Sequence, residues 1–228
     1  MEHPFLFFTK LFELVGLGGI AKYPHVVYSW VVMALLISIG YLSAKSVKLI
    51  PTKAQNFFEL AISGMEEFMV DITGDEGRWF FPLVATIFFY VFIGNLIGLI
   101  PGFFPPTANL NTTASCALVV FIFTHYIGIK YHGAKYVKHF LGPVWWMAPL
   151  IFVIEIIGHF ARILSLSFRL FGNMMGHEIV LAILFGLAGA FFAPLPIMAL
   201  GIFVSFVQGF VFFLLSIIYF AGAMEHAH

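Results

Sequence analysis

Ser165-Leu166-Ser167-Phe168-Arg169-Leu170-Phe171-Gly172-Asn173-Met174-Met175-Gly176-His177-Glu178 sets a guanidinium inside an apolar stretch that runs from about Val144 to Phe192. An arginine at membrane depth costs about 2.5–3.5 kcal/mol on insertion scales. Proton loss offers no relief, because guanidinium stays charged at any working pH. A permanent charge among hydrocarbon side chains marks a functional position, most often part of an ion path. The same stretch decides the fold. As helix it rises about 1.5 Å per residue and overruns a hydrocarbon core of about 30 Å. A break at Phe171-Gly172-Asn173 would give six spans, and one strongly tilted helix gives five. Glycine alone is weak ground for a break in a membrane helix. The expectation is therefore a long, tilted hairpin with the next apolar segment, Ile197 to Ala221, hinged at Pro194-Leu195-Pro196.

The rest of the chain agrees. Of 228 residues, 61% are hydrophobic and 10% charged, and the mean hydropathy is +1.02. Soluble domains carry about 25% charged residues, so the expected fold is an all-α polytopic membrane protein with about five membrane helices. Zero formal net charge gives no footing for nucleic acid. The single cysteine, Cys116, allows no internal disulfide and reads as a small apolar helix residue. Glu2, Lys10 and Glu13 interrupt the early apolar residues, so no standard signal peptide is expected.

The first span is expected from about Val26 to Leu42, followed by Lys45, Lys48 and Lys53 with Pro51 among them. From Gln55 to Val70, Phe57, Phe58, Leu60, Ala61, Met65, Phe68 and Met69 stand against Glu59, Glu66 and Glu67. That pattern suits an amphipathic helix lying at the interface or packed on the bundle. Asp71 to Arg78 reads as a polar turn, and the second span as Phe80 to Ile100, stopped by Pro101-Gly102. A loop without charge follows, holding Pro105, Pro106, Asn109 and Asn111. The third span, Ala114 to Ile129, leads into Lys130, Lys135 and Lys138. Lysine-rich loops lie inside by the positive-inside rule. The N-terminus is then outside, and the C-terminal Glu225 and His228 are cytoplasmic. No internal repeat is visible, which counts against a repeat-built transporter. Residues 1–228 read as one membrane domain: helices and loops over 1–142, and the hairpin with the ion path over 143–228.

On an ideal helix with Arg169 at zero, Arg162 falls at about 20°, Glu155 and Asn173 near about 40°, Ser165 at about −40° and Gly176 at about −20°. His159 and His177 lie on the flank at about 80°, and Glu178 about 180° away. Small residues around Arg169 let another helix approach closely, so the guanidinium can meet a carboxylate from outside the chain. Glu155, about 21 Å away along the helix, cannot neutralise Arg169; it can pair with Arg162 or His159. Plainer readings stand beside each of these. Glu155 and Arg162 can form a buried pair that only fixes packing. His177 and His125 can be ordinary hydrogen-bonded histidines, and Gln208 can simply bond across helices. Arg169 can snorkel toward an interface. His132 and His139 lack a third ligand, so no metal is expected, nor any cofactor.

The run Ser165 to Met174 resembles the signature of subunit a of rotary F-type ATP synthases. Asn95-Leu-Ile-Gly-Leu-Ile-Pro101-Gly and Pro106-Thr-Ala-Asn-Leu-Asn111-Thr-Thr are similar to that family's second-span end and following loop. The likeness covers nearly the whole chain from Phe80 onward. It implies the tilted hairpin, and it implies that Arg169 faces the carboxylates of a rotating ring of c-ring proteolipid subunits, with Asn173 and Gln208 as polar neighbours. Glu178 would line the outer half-channel, and Glu155 and Ser165 the inner one. Two positions depart from the pattern: Asn109 stands for an aspartate, and Gly201 for a histidine or acid that partners the Glu178 position. His177 can supply that partner instead.

The implied protein is a non-catalytic stator subunit of the membrane (Fo) sector. Its two offset half-channels and its arginine couple proton translocation to c-ring rotation and ATP synthesis. The implied partners are the c-ring, the peripheral-stalk b subunits, the lipid bilayer and the translocated proton. The implied place is the plasma (inner) membrane of a bacterium. A stand-alone ion channel or secondary transporter is the rival; it should carry acids complementing Arg169 within the chain, or repeated halves. An intramembrane hydrolase would need a nucleophile beside a base, and Ser165 and Ser167 offer no such pairing.

Overall fold

The computed structural model describes residues 6–14, 16, 18–45, 52–100, 102–133, 136, 148–188 and 194–224, and among these it is helical without strands. Two short helices, α1 (Phe7–Leu14) and α2 (Gly18–Ala21), precede α3 (Pro24–Lys45) and α4 (Lys53–Thr73). A 3-10 turn over Asp75–Phe80 leads into α5 (Phe81–Ile97). A second 3-10 turn, Pro106–Ala108, leads into α6 (Leu110–His132), and α7 (Ala148–Ala188) and α8 (Pro194–Met224) follow. Among the described residues, five helical stretches are long and apolar enough to cross a membrane: Pro24–Lys45, Asp75–Ile97, Leu110–His132, Ala148–Leu187 and Leu195–Met224.

Local chemistry sets the boundaries. The Thr52 hydroxyl accepts the Gln55 amide at 3.3 Å and caps α4. Gly74, at φ 73°, ends α4 in a conformation that favours glycine. Asn109 caps α6 by accepting the Asn111 amide at 2.9 Å. Pro194 and Pro196 sit in the first turn of α8, where a missing N–H costs nothing. The sequence placed a hinge on these prolines; they open the helix instead, and residues 189–193 lie outside the described residues. So do Lys48, Pro51, Pro101, Lys135, Lys138, His139, Glu225 and His228. The polar turn expected from Asp71 is shorter than read. Here α4 continues to Thr73, and Arg78 then secures the 3-10 turn, reaching Asp75 at 3.1 Å and Glu66 at 3.0 Å.

The core lies where α5 packs along α8 and α6 along α7. Phe80 meets Phe220, Phe88 meets Phe213, and Val84, Val91, Ala117, Leu166, Leu170 and Ile217 fill between them. Gly209 permits this approach: a β-carbon there would lie 3.4 Å from the Phe88 ring and carbonyl. Helix α3 stands at the side. It buries only Val27, Tyr28 and Val32, with Tyr28 donating to the Gly102 carbonyl at 3.1 Å. The amphipathic α4 divides its two expected settings. Met69 is buried and Phe68 meets Phe210 and Phe213, while Phe57 and Leu60, 68% and 72% exposed, face outward.

The break considered at Phe171-Gly172-Asn173 does not occur. Helix α7 is continuous for 41 residues, about 61 Å at 1.5 Å per residue. A straight rod of that length stays within a layer about 30 Å thick only at a steep slant.

Candidate ion-translocation site

Arg169 projects from the middle of α7 into the open, and its Nη2 donates to the Ser165 hydroxyl at 3.3 Å, one turn back. Among the described residues no carboxylate pairs with it. The guanidinium is held and aimed by its own helix, and its charge is not cancelled there. One turn further on, Asn173 Nδ2 donates to Gln208 Oε1 at 3.0 Å. Gln208 is buried, so this amide bridge ties α7 to α8 beside the arginine. The sequence allowed Gln208 a bond across helices; its partner is Asn173, a member of the arginine stripe.

Toward the α7 N-terminus, Glu155 Oε1 lies 3.7 Å from His159 Nε2. The other pairing open to Glu155, with Arg162, is not formed. Arg162 instead sets its guanidinium carbon 5.3 Å above the Tyr219 ring, a cation–π contact that needs no anion. Thr124, His159, Arg162 and Tyr219 border a small hollow between α6, α7 and α8, with room for about one water.

At the other end of the stripe, Glu178 is half-buried on the back of α7. His177 turns toward α8. A β-carbon built on Gly201 would lie 2.5 Å from His177 Nε2 and would overlap Leu99 Cδ2. The imidazole therefore fills the volume that a side chain at 201 would need. Its Nε2 is enclosed and finds no hydrogen-bond partner among the described residues. Ser205 donates to the Gly201 carbonyl at 2.7 Å and is buried beside it.

Three features escaped the sequence reading. Asn95 and Thr107 are fully buried, and Thr107 Oγ1 donates to Asn95 Oδ1, fixing the loop after α5 to the helix end. An amide at the end of an apolar span, followed by a charge-free loop with hydroxyls, was the available signal. Ser205, one turn after Gly201, was hidden among apolar neighbours. His125 stands against His159, with ring centroids 4.8 Å apart; nothing in the spacing of residues on separate helices announces that.

Helix α7 thus carries an exposed guanidinium midway between polar groups toward its two ends. A family profile described as ATP synthase A chain matches residues 26–221. The chain belongs to that family. It is 71% identical over 229 residues to ATP synthase subunit a of Desulfosudis oleivorans. It is 57% identical over 239 residues to that of Syntrophobacter fumaroxidans, and 53% over 230 to that of Geotalea daltonii. Each comparison covers 100% of both chains. The ATP synthase A chain family is a family of membrane subunits, and this member is a multi-pass membrane protein in the role of stator subunit a. A stand-alone channel or transporter is not favoured.

Proposed function

We propose that Arg169 is the fixed charge past which ring carboxylates of the partner proteolipid move, and that Glu155 and Ser165 on one side and Glu178 and His177 on the other serve two offset half-channels. The observation that carries this reading is the exposed guanidinium, braced by Ser165 and left without a carboxylate partner among the described residues. A ring carboxylate at about 4–6 Å from such a charge is favoured as the anion, by about 1–3 pKa units. It therefore releases its proton on one side of the arginine and reloads only after passing to the other. The same charge repels a free proton and blocks a direct leak. Asn173 and Gln208, bonded to each other, hold α7 and α8 in register so that Arg169 keeps its position.

Each charge moved across 100 mV supplies about 2.3 kcal/mol, and the stator converts that into rotation. The chain carries out no covalent step. It works beside the c-ring and the peripheral-stalk b subunits in the plasma (inner) membrane of a bacterium, N-terminus outside and C-terminus cytoplasmic. Protons are the translocated ion.

The test is Arg169→Ala and Arg169→Lys in membrane vesicles. Both assemble, and both lose ion-driven ATP synthesis; lysine lacks the planar fork and can shed its proton when desolvated. Synthesis near the wild-type rate in either variant overturns the reading.

A further inference from the structure

His125 and His159 face each other across α6 and α7 at the inner end of the stripe. Their ring centroids are 4.8 Å apart and the planes are inclined at 59°. Phe121 packs against both rings, at 4.3 Å and 6.0 Å. His125 Nδ1 lies 2.9 Å from the Phe121 carbonyl. With that nitrogen as the donor, the neutral ring presents Nε2 as a proton acceptor. His159 Nε2 lies 3.7 Å from Glu155 Oε1, and His159 borders the water-sized hollow together with Thr124 and Arg162. From His159 the stripe climbs α7 through Arg162 and Ser165 to Arg169, about 15 Å along the axis.

We propose that His125 and His159 form a single proton-transfer unit of the inner half-channel, accepting protons released beside Arg169 and passing them by way of Glu155 to the inner aqueous phase. The proposal rests on the half-channel reading above and adds to it two bases from different helices.

The chemistry is that of a relay. A neutral imidazole accepts at one nitrogen and donates at the other, and needs only a small rotation or one water to pass the proton on. Two imidazolium rings side by side repel, so the pair passes one proton at a time, and Glu155 attracts it. Among the described residues, the charged and titratable groups around the pair are Glu155 and Arg162 on α7, Tyr219 on α8, and Tyr136 just beyond α6, its ring 6.0 Å from His125. Burial and the nearby Glu155 raise the Tyr136 phenol, with Arg162 opposing. Tyr136 thus stays a neutral wall. Arg162 is committed to the Tyr219 ring.

The test uses whole membrane sectors in vesicles stripped of the catalytic head. Proton flux under an imposed potential is followed with and without added imidazole. His125→Gln and His159→Gln each assemble and lose flux by about a hundredfold or more, the range for removing a proton-transfer group. Added imidazole restores flux to His159→Ala. The proposal is overturned if either glutamine variant assembles and keeps flux within about threefold of wild type. It is equally overturned if flux falls and imidazole restores nothing, which marks a packing role. Should His159→Gln fail to assemble, His125→Gln on the other helix carries the same test. Failure of the Arg169 reading shows separately, as an Arg169→Ala strain that still synthesises ATP.

Discussion

Gly201→Ala tests whether His177 holds the space between α7 and α8. The new β-carbon would lie 2.5 Å from His177 Nε2 and would overlap Leu99, whereas ordinary contact begins at about 3.5 Å. The ring must retreat by about 1 Å, in a pocket where Leu99 closes the other side. Overpacking of this kind costs about 1–3 kcal/mol. Alanine recovers about 0.5–1 kcal/mol over glycine through helix propensity. The net expectation is a loss of about 1–2 kcal/mol when His177 is present, up to about a thirtyfold shift in the folded ratio. In a His177→Ala background the overlap with the ring is gone and only that with the end of the Leu99 side chain remains, so the same substitution costs less, by about 1 kcal/mol. The coupling between the two positions is then about 1 kcal/mol, within the range for a neighbouring pair. Denaturant midpoints of the purified complex for the four proteins of this cycle give the answer, with ATP-driven pumping as the functional readout. Equal effects of Gly201→Ala in both backgrounds would refute the reasoning.

Asn173→Ala leaves the buried Gln208 without its donor and should cost about 1–3 kcal/mol. Adding Gln208→Leu should recover part of that loss, and an unchanged unfolding midpoint for Asn173→Ala would show that the bridge is unimportant. Glu178→Gln should slow ion flux less than Arg169→Ala abolishes coupling, and combination with His177→Ala should be worse than the singles predict. Unchanged flux in the single and double variants would put the outer path elsewhere. For topology, cysteines at Asn109, Lys45 and Lys130 in a Cys116→Ala background should react with an impermeant reagent in intact cells only at Asn109. Labelling at Lys130 would reverse the orientation.

The membrane class, the first three spans and the central place of Arg169 could be read directly, because each follows from one-dimensional quantities: run length, charge density and the lysines after alternate spans. Helix ends were harder. Thr52, Gly74 and Asn109 set them through caps, and a polar cluster such as Asp71 to Arg78 does not say where within it the turn falls. The unbroken course of α7 through Gly172 was legible only as one of two arrangements, since glycine permits both. Side-chain partners across helices were the least visible. Arg162 could as well have taken Glu155 as Tyr219, and the meeting of His125 with His159 depends on how α6 lies along α7. Gly201 stood out as a departure from the family pattern and His177 as a replacement partner for Glu178; the packing of His177 against position 201 needed three dimensions.

The glycines of α7 near the arginine stripe are not required by the packing of the described residues. Among these, a β-carbon on Gly158, Gly172 or Gly176 would meet nothing within 4 Å, yet each glycine costs about 0.5–1 kcal/mol in a helix relative to alanine. Two well-packed helices lock ridge into groove, and each knob lifted from its hole is a detent that a passing helix must climb. A bare glycine lane has no knobs. On the proposed reading, Arg169 stands on this lane as a post beside a smooth track: it can hold a passing charge, while the backbone around it lets the carrier slide away. Helix stability given up along one face of α7 becomes low friction for a neighbour that must never settle.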